Sequence, residues 1–261
     1  MFSLNGIDLT DDARGWAFSY NSQPLSALAF DRVALTRPGR DGVLPLPAGA
    51  RAEAPAIPLE VVLTESGLDA LAALFGSPAL LLDWDGREVD CELMSFAPLH
   101  EGGDGEVVTV AILLRLSSVY WRDPAVTTSA AIVLGTNSVN VDVLAGLTGP
   151  VRDAIVRVAG GCSDLKLTGG DGSWIAYPTA IADGDYLRID TESGRAWLTS
   201  TDTWTGGTEV TGLLNNGPGS YPLSIIPTFT DPAVRVGRIV VTSTARTTAS
   251  IEVRGRRAFS V

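Results

Sequence analysis

The sequence predicts a mainly β protein in two parts, a mixed α+β domain with one short helix followed by an all-β sandwich. Three observations carry this. Alternating apolar and polar residues, the mark of half-buried strands, dominate the 261-residue chain. A single segment near residue 70 has helical spacing. The strong strands of the first part end at Ser117–Pro124 (SSVYWRDP), and only strands and turns follow. The length admits one large β domain or two of ordinary size, either able to bury a core without a disulfide or metal. The junction favours two, 1–122 and 123–261.

Arg37–Pro55 carries four prolines and three glycines, so it is no central strand throughout and reads as an extended arm or long loop. Arg37, Pro38, Arg40, Asp41, Leu44 and Leu46 are its candidate inter-subunit residues, because an arm can add its strand edge to a neighbouring sheet. Ala56–Thr64 alternates as a strand. A helix is expected over 67–75, with Leu68, Leu71, Ala72 and Phe75 on one face, Ser66 as N-cap and Gly76 as stop. Eight or nine residues are too few to be stable alone, so it must lean on a sheet. Asp83-Trp84-Asp85-Gly86 lies between Leu80–Leu82 and Val89–Leu93, and Asp-Gly between strand-like runs signals a hairpin. His100–Glu106 (HEGGDGE) reads as a flexible connection into the strand Val107–Leu116.

In the second part, Val151–Ala159 and Val234–Thr242 read as strands. Thr168-Gly169-Gly170-Asp171-Gly172-Ser173 has the glycines of a phosphate cradle without its lysine or its strand-loop-helix setting, and so reads as a turn. In Gly184–Ser200, Leu187 and Ile189 alternate with Arg188 and Asp190, giving one apolar and one wet face. Thr191–Gly194 turn the chain, and Ala196 and Leu198 return to the apolar side. Asp190 and Arg195 are expected to face each other across the bend, a surface pair worth a few tenths to about 1 kcal/mol.

Charge and composition exclude several functions. A net charge of −11 argues against a nucleic-acid-binding domain, which needs a basic footprint. Apolar residues make up 45% and mean hydropathy is +0.21, high for a soluble monomer, so the excess belongs in a large core or in subunit interfaces. The longest uncharged run, Pro124–Val141, is broken by Thr, Ser and Asn and is no membrane span. The start, MFSLNGIDLTDDARG, lacks the basic leader and apolar block of a secretory signal. Cys91 and Cys162 read as small buried hydrophobes rather than a disulfide, which fits synthesis in a reducing cytoplasm.

No catalytic or metal motif emerges. His100, the one histidine, sits in an acidic glycine-rich loop, too little for a zinc site or a Ser-His-Asp triad, and G-x-S-x-G does not occur. The pairs Asp83/Asp85 and Asp183/Asp185 are explained by turns, with no calcium loop following. Nothing selects a carboxylate pair for glycoside hydrolysis. No catalytic residue, cofactor or metal is therefore assigned. Trp174, Tyr177 and Trp204 are candidate glycan contacts, with core filling as the competing reading. Trp204, in Thr203-Trp204-Thr205-Gly206-Gly207, is the most loop-like of the three.

Leu187-Arg188-Ile189-Asp190-Thr191-Glu192-Ser193-Gly194-Arg195-Ala196 resembles the "IDT…G.A" hairpin of the siphophage distal tail protein family. Similar order continues in Leu213-Leu214-Asn215-Asn216-Gly217, Tyr221-Pro222-Leu223 and the closing Val253-Arg254-Gly255-Arg256-Arg257. Ser118–Pro124 looks like that family's aromatic-rich junction, and Gly39–Gly42 with the Leu68–Phe75 helix fits its first domain. The resemblance implies a non-enzymatic virion protein at the distal end of a phage tail, made in the host cytoplasm. In it, a first domain assembles a homohexameric ring and a galectin-like β-sandwich lies outside. Implied partners are further copies of the chain, the tail tube protein, the tail hub or tail-associated protein, the tape measure protein, and tail fibre or receptor-binding proteins. The family's saccharide-binding members often carry an inserted module for which this chain has no room. A glycan-binding module and, behind it, a wall-degrading enzyme are the rival readings.

Overall fold

The computed structural model describes residues 2–22, 30–36, 43–52, 56–100, 107–135, 138–217, 223–228, 233–245 and 248–260. The chain divides into two compact units, Met1–Arg122 with Ser260–Val261, and Asp123–Phe259. It is mainly β, with one short α-helix among the described residues.

The strands of the first unit, in chain order, are β1 (Phe2–Leu4), β2 (Ile7–Asp8), β3 (Trp16–Phe18), β4 (Phe30–Thr36), β5 (Val43–Ala52), β6 (Ala56–Thr64), β7 (Leu80–Trp84), β8 (Arg87–His100), β9 (Val107–Leu116) and β10 (Trp121–Arg122). They pair antiparallel in the order β2-β1-β7-β8-β9-β6-β3, with β10 against β8. The alternation read in β6 and β9 sets their register: Ile57, Leu59, Val61 and Leu63 stand opposite Leu114, Ile112, Val110 and Val108, and all eight are buried. Each such side chain contributes about 1.5–3 kcal/mol of apolar burial. The helix α1 (Leu68–Phe75) turns Leu71 and Phe75 into this core, where the Phe75 and Phe96 rings lie 6.0 Å apart. A second apolar row joins Phe18, Phe2, Trp84 and Trp121, with ring centroids 5.7, 5.9 and 6.0 Å apart in turn.

The Asp-Gly hairpin is present. Asp85 (φ 52°) and Gly86 (φ 73°) turn β7 into β8 in the left-handed conformations such a bend demands. The helix ends differ from expectation. A 3-10 turn, Glu65–Gly67, precedes α1 and places Gly67 at the cap, while the Ser66 hydroxyl lies 3.1 Å from the Thr64 hydroxyl. Gly76 stays right-handed (φ −76°), its N–H donating back to Ala72 O. The segment read as an arm or loop contains β5, which among the described residues pairs with β4 alone in a two-stranded ribbon. Leu44 and Leu46 lie on β5, whereas Arg37, Pro38, Arg40 and Asp41 lie outside the described residues, as do 101–106 of the connection after His100.

The second unit contributes β11 (Thr127–Thr128), β12 (Ile132–Val133), β13 (Val139–Val143), β14 (Ile155–Ala159), β15 (Cys162–Gly169), β16 (Trp174–Tyr177), β17 (Tyr186–Asp190), β18 (Arg195–Thr199), β19 (Thr208–Glu209), β20 (Asn215–Asn216), β21 (Ile226–Pro227), β22 (Gly237–Ala245), β23 (Ser250–Gly255) and β24 (Ala258–Phe259). One sheet runs β11-β23-β14-β17-β18-β19 and the other β13-β22-β15-β16-β20. Each buries one alternating set: Val156, Val158, Leu187, Ile189, Ile251 and Val253 in the first, and Val141, Leu165, Leu167, Ile175, Ile239 and Val241 in the second. Two sheets with one apolar face each are the requirement of a sandwich. The strand expected from Val151 begins at Ile155, and Val151 makes only an isolated bridge to Ile225. Of the segment read as a turn, Thr168 and Gly169 end β15 and Gly170–Ser173 turn the chain into β16, closed by Gly169 N–H donating to Ser173 O at 2.8 Å.

Thr191 ties the β17–β18 hairpin to the strand beside it. Its hydroxyl is fully buried, accepts from Ala154 N–H (2.9 Å) and faces Arg152 O (2.6 Å) and Ala154 O (2.9 Å). Its own N–H donates to Ala154 O at 2.9 Å. The expected Asp190–Arg195 pair is not the one formed. Although the two are in register, Asp190 Oδ1 accepts from the turn N–H groups of Glu192 and Ser193 at 2.9 and 3.2 Å. Arg195 reaches sideways to Glu209 with two hydrogen bonds of 3.1 and 2.7 Å. A turn with open N–H donors takes the near carboxylate, and a bidentate partner on the next strand takes the arginine.

Candidate functional site

The most chemically dense surface is the solvent side of the β23-β14-β17-β18-β19 sheet in the second unit. Alternation sends Val156, Val158, Leu187, Ile189 and Ala196 inward, so the intervening residues share the other face. Register then lines up one residue per strand in a single row: Glu252, Arg157, Arg188, Trp197, Glu209. Two arginines stand directly opposite each other in the middle of it, an arrangement that costs energy unless each charge is compensated.

Arg157 is compensated fully. It is only 8% exposed, pairs with the carboxylates of Glu252 and Asp202, and lies 4.5 Å from the Trp204 ring and 5.5 Å from that of Tyr186. Arg254 approaches the same Trp204 ring at 5.7 Å. These contacts hold the loop Ser200–Gly207 down over the sheet, with Asp202 and Trp204 as its anchors. Arg188 is compensated only in part. At 7% exposure it donates Nη2–H to Gly206 O (2.9 Å) and lies 4.7 Å from the Trp197 ring, yet its buried Nη1 has no hydrogen-bond partner. Among the described residues no carboxylate pairs with it. Burial pulls its guanidinium below the ordinary arginine value, and the Asp190 charge pulls the other way. At the far end of the row, hydrogen bonds from Arg195 and then from Thr211 hold the Glu209 carboxyl below its usual range.

The three residues named as glycan contacts do not share a surface. Tyr177 is 1% exposed and belongs to the core. Trp174 stands on the opposite side of β16 from Tyr177, in the other sheet, with Lys166 Nζ 4.5 Å from its ring. Trp204 alone reaches the arginine face. Sequence reading missed Arg157, Arg188 and Asp202: an arginine between valines in a strand signals an outward side chain, but nothing local shows that the outside is covered. The thiols carry no nucleophile. Cys91 and Cys162 are both buried and free, and burial, then the Asp90 charge, pushes Cys91 up to about 12. Among the described residues no three His, Cys, Asp or Glu side chains gather to hold a metal, and no helix is long and apolar enough to cross a membrane.

The first unit presents a different surface. Met94, Leu99 and Val107 are 52%, 48% and 46% exposed, all on the β8–β9 ladder. Met94 sits where the register slips between Leu93 and Ser95, a bulge that leaves it unpaired.

No protein-family model and no curated protein matches the chain. Among solved structures it is similar to the crystal structure of the SPP1 Dit (gp 19.1) protein, described as a paradigm of the hub adsorption apparatus in phages infecting Gram-positive hosts. The TM-score is 0.61 at 12% identity, over 98% of this chain and 99% of that one. Two structures of the phage P2 baseplate in its activated conformation match at lower TM-scores. The one with Ca gives 0.38 at 11% identity over 92% of this chain and 90% of that one, and the one with Sr gives 0.40 at 11% over 97% of each. The SPP1 comparison establishes that the chain has the fold of that tail protein across both units.

Proposed function

We propose that the protein is a structural component of a phage tail tip, an adaptor without catalysis that assembles as a homohexameric ring through its first unit. The observation that carries this is the likeness in fold to SPP1 Dit, which extends over 98% of this chain and 99% of that one. The exposed apolar residues on β8–β9 support it, since a permanent subunit interface is where a chain of this hydropathy hides such groups. Head-to-tail contacts that close into a ring give every subunit two different interfaces and leave no free edge. In this reading the β4–β5 ribbon is the arm that reaches a neighbour, the ring joins tail tube to hub and fibre apparatus, and the second unit lies outside as a galectin-like sandwich. The net charge of −11 suits a channel that passes DNA without gripping phosphate, and a lumen lined mainly by arginine would remove that idea.

Native mass spectrometry with negative-stain imaging of the full chain tests the assembly, and immunogold labelling of virions tests the place. Sixfold rings and label at the tail tip are expected. A monomer at all concentrations together with label elsewhere on the particle would overturn the proposal.

A further inference from the structure

We infer that Asn216 is a site of spontaneous chemical modification, where the Gly217 backbone nitrogen displaces the side-chain amide and an acidic residue is left at the sheet edge. The inference does not depend on ring assembly. Asn-Gly is the dipeptide most prone to this reaction, because a residue without a Cβ leaves its nitrogen unhindered and its backbone free to turn. The sequence has two such steps, Asn5-Gly6 and Asn216-Gly217. As dipeptides they are equivalent. The fold makes them different.

Asn5 is locked. Its N–H donates to Leu81 O (2.8 Å), its Nδ2 donates to Ala79 O (3.1 Å) and its Oδ1 accepts from Leu81 N–H (2.8 Å). Both the carbon to be attacked and the group to be expelled are therefore fixed against the β7 side, and three hydrogen bonds oppose ring closure. Asn216 is held at one point only. It is exposed, and its side chain makes no hydrogen bond among the described residues. Gly217 N–H donates to Trp174 O at 2.9 Å, so the nucleophile is occupied while β20 stays in place. Yet β20 is two residues long, ends its sheet and, among the described residues, pairs with β16 alone. A short edge strand is the first part of a sheet to open, and opening frees the Gly217 nitrogen. Packing explains why the glycine is there: a Cβ at 217 would stand 2.6 Å from Trp174 Nε1.

The chemistry needs only water besides the chain. The Gly217 nitrogen loses its proton and bonds to Asn216 Cγ, the Cγ–Nδ2 bond breaks, and ammonia departs with that proton. A cyclic imide remains. Water then adds to either imide carbonyl and the C–N bond at that carbon breaks, with no change of oxidation state. One opening gives aspartate, the other isoaspartate, whose backbone is longer by a methylene. Both products add a negative charge beside β16, and the longer backbone also moves Gly217 away from the Trp174 indole that it accommodates.

The test incubates the full-length chain in warm, mildly alkaline buffer, with and without guanidinium chloride, and follows it by peptide mapping. Cleavage at arginine releases 1–14 and 196–235, so the two sites fall in separate peptides, and fragmentation assigns the added mass to a residue. In the folded chain Asn216 is expected to react at least about tenfold faster than Asn5, a ratio that one hydrogen bond's difference in opening supplies. In guanidinium chloride the two rates should converge, chiefly because Asn5 speeds up. Asn216→Gln, whose longer side chain closes a less favourable ring, should remove the fast release of ammonia and leave Asn5 slow. Asn5 reacting as fast as Asn216 in the folded chain, Asn216 staying intact, or the difference persisting in the unfolded chain would each overturn the inference.

Discussion

Replacing Thr191 by valine isolates what the third residue of the Ile189-Asp190-Thr191 run does. The two side chains have nearly the same volume, so no cavity opens; only the hydroxyl is lost. That hydroxyl is the acceptor for Ala154 N–H at 2.9 Å, and both residues are fully buried. Ala154 O keeps the Thr191 N–H, but Ala154 N–H is left with no acceptor, and Arg152 O loses its 2.6 Å contact. A buried donor so orphaned costs about 1–3 kcal/mol. Thr191→Ser is the control: it keeps the oxygen and removes one buried methyl, at about 0.5–1.5 kcal/mol. Valine should therefore be the more damaging change, although it is the more hydrophobic one. At about 3 °C per kcal/mol for a unit of this size, the second unit's calorimetric transition should fall by about 3–9 °C in Thr191→Val and by less in Thr191→Ser. Equal stability of Thr191→Val and the unmutated chain, or serine worse than valine, would refute the reasoning.

Trp121→Ala should destabilise the first unit by about 3–5 kcal/mol, because it empties the end of the Phe18–Phe2–Trp84–Trp121 row; limited proteolysis should show that unit cut first. Cys91 should resist thiol reagents at pH 8 until the chain unfolds, since burial raises it from 9.0 to about 12. A raised thiol contributes stability that is whole below its unfolded value, so urea midpoints should fall as pH climbs from 9 toward 12, and Cys91→Ala should flatten that slope. Asp142 is held below its ordinary value chiefly by hydrogen bonds from Arg238, at 2.6 and 2.8 Å. Its contribution is present above the unfolded value and is lost as pH falls through the lower folded one. The pair is well exposed, so Asp142→Asn should remove less than about 1 kcal/mol of acid sensitivity in urea titrations.

What could be read from the sequence follows from what alternation encodes. The eight core residues of β6 and β9 announce themselves, because a period of two names the buried face without any knowledge of the partner strand. Asp85-Gly86 announces its own turn for a similarly local reason. The helix was legible through Leu71 and Phe75, but its start was not: Ser66 has the chemistry of a cap, and a preceding 3-10 turn moved the cap to Gly67. The β5 ribbon strand was hidden by its own composition. Pro45 and Pro47 exclude a central strand, and the propensity for loops they signal is overridden where, among the described residues, β4 alone pairs with β5.

The arginine row was illegible for a different reason. Arg157, Arg188, Trp197, Glu209 and Glu252 are neighbours only through four register relations among five strands, and no local window contains more than two of them. Reading Leu187 and Ile189 as inward was sound, and it correctly sent Arg188 outward. The further step, from outward to wet, failed because burial on that side is supplied by a loop a dozen or more residues downstream, Ser200–Gly207, held by Asp202 and Trp204 on Arg157. The geometry then separates two roles that the sequence could not. Arg157, with both carboxylates and two aromatic rings, fastens the loop. Arg188 holds the same loop by one hydrogen bond, to Gly206 O, and leaves its other terminal donor idle. If the loop served only to seal the sheet, an apolar residue at 188 would do the same with no charge to bury, and Arg188→Met should raise the melting temperature of the chain.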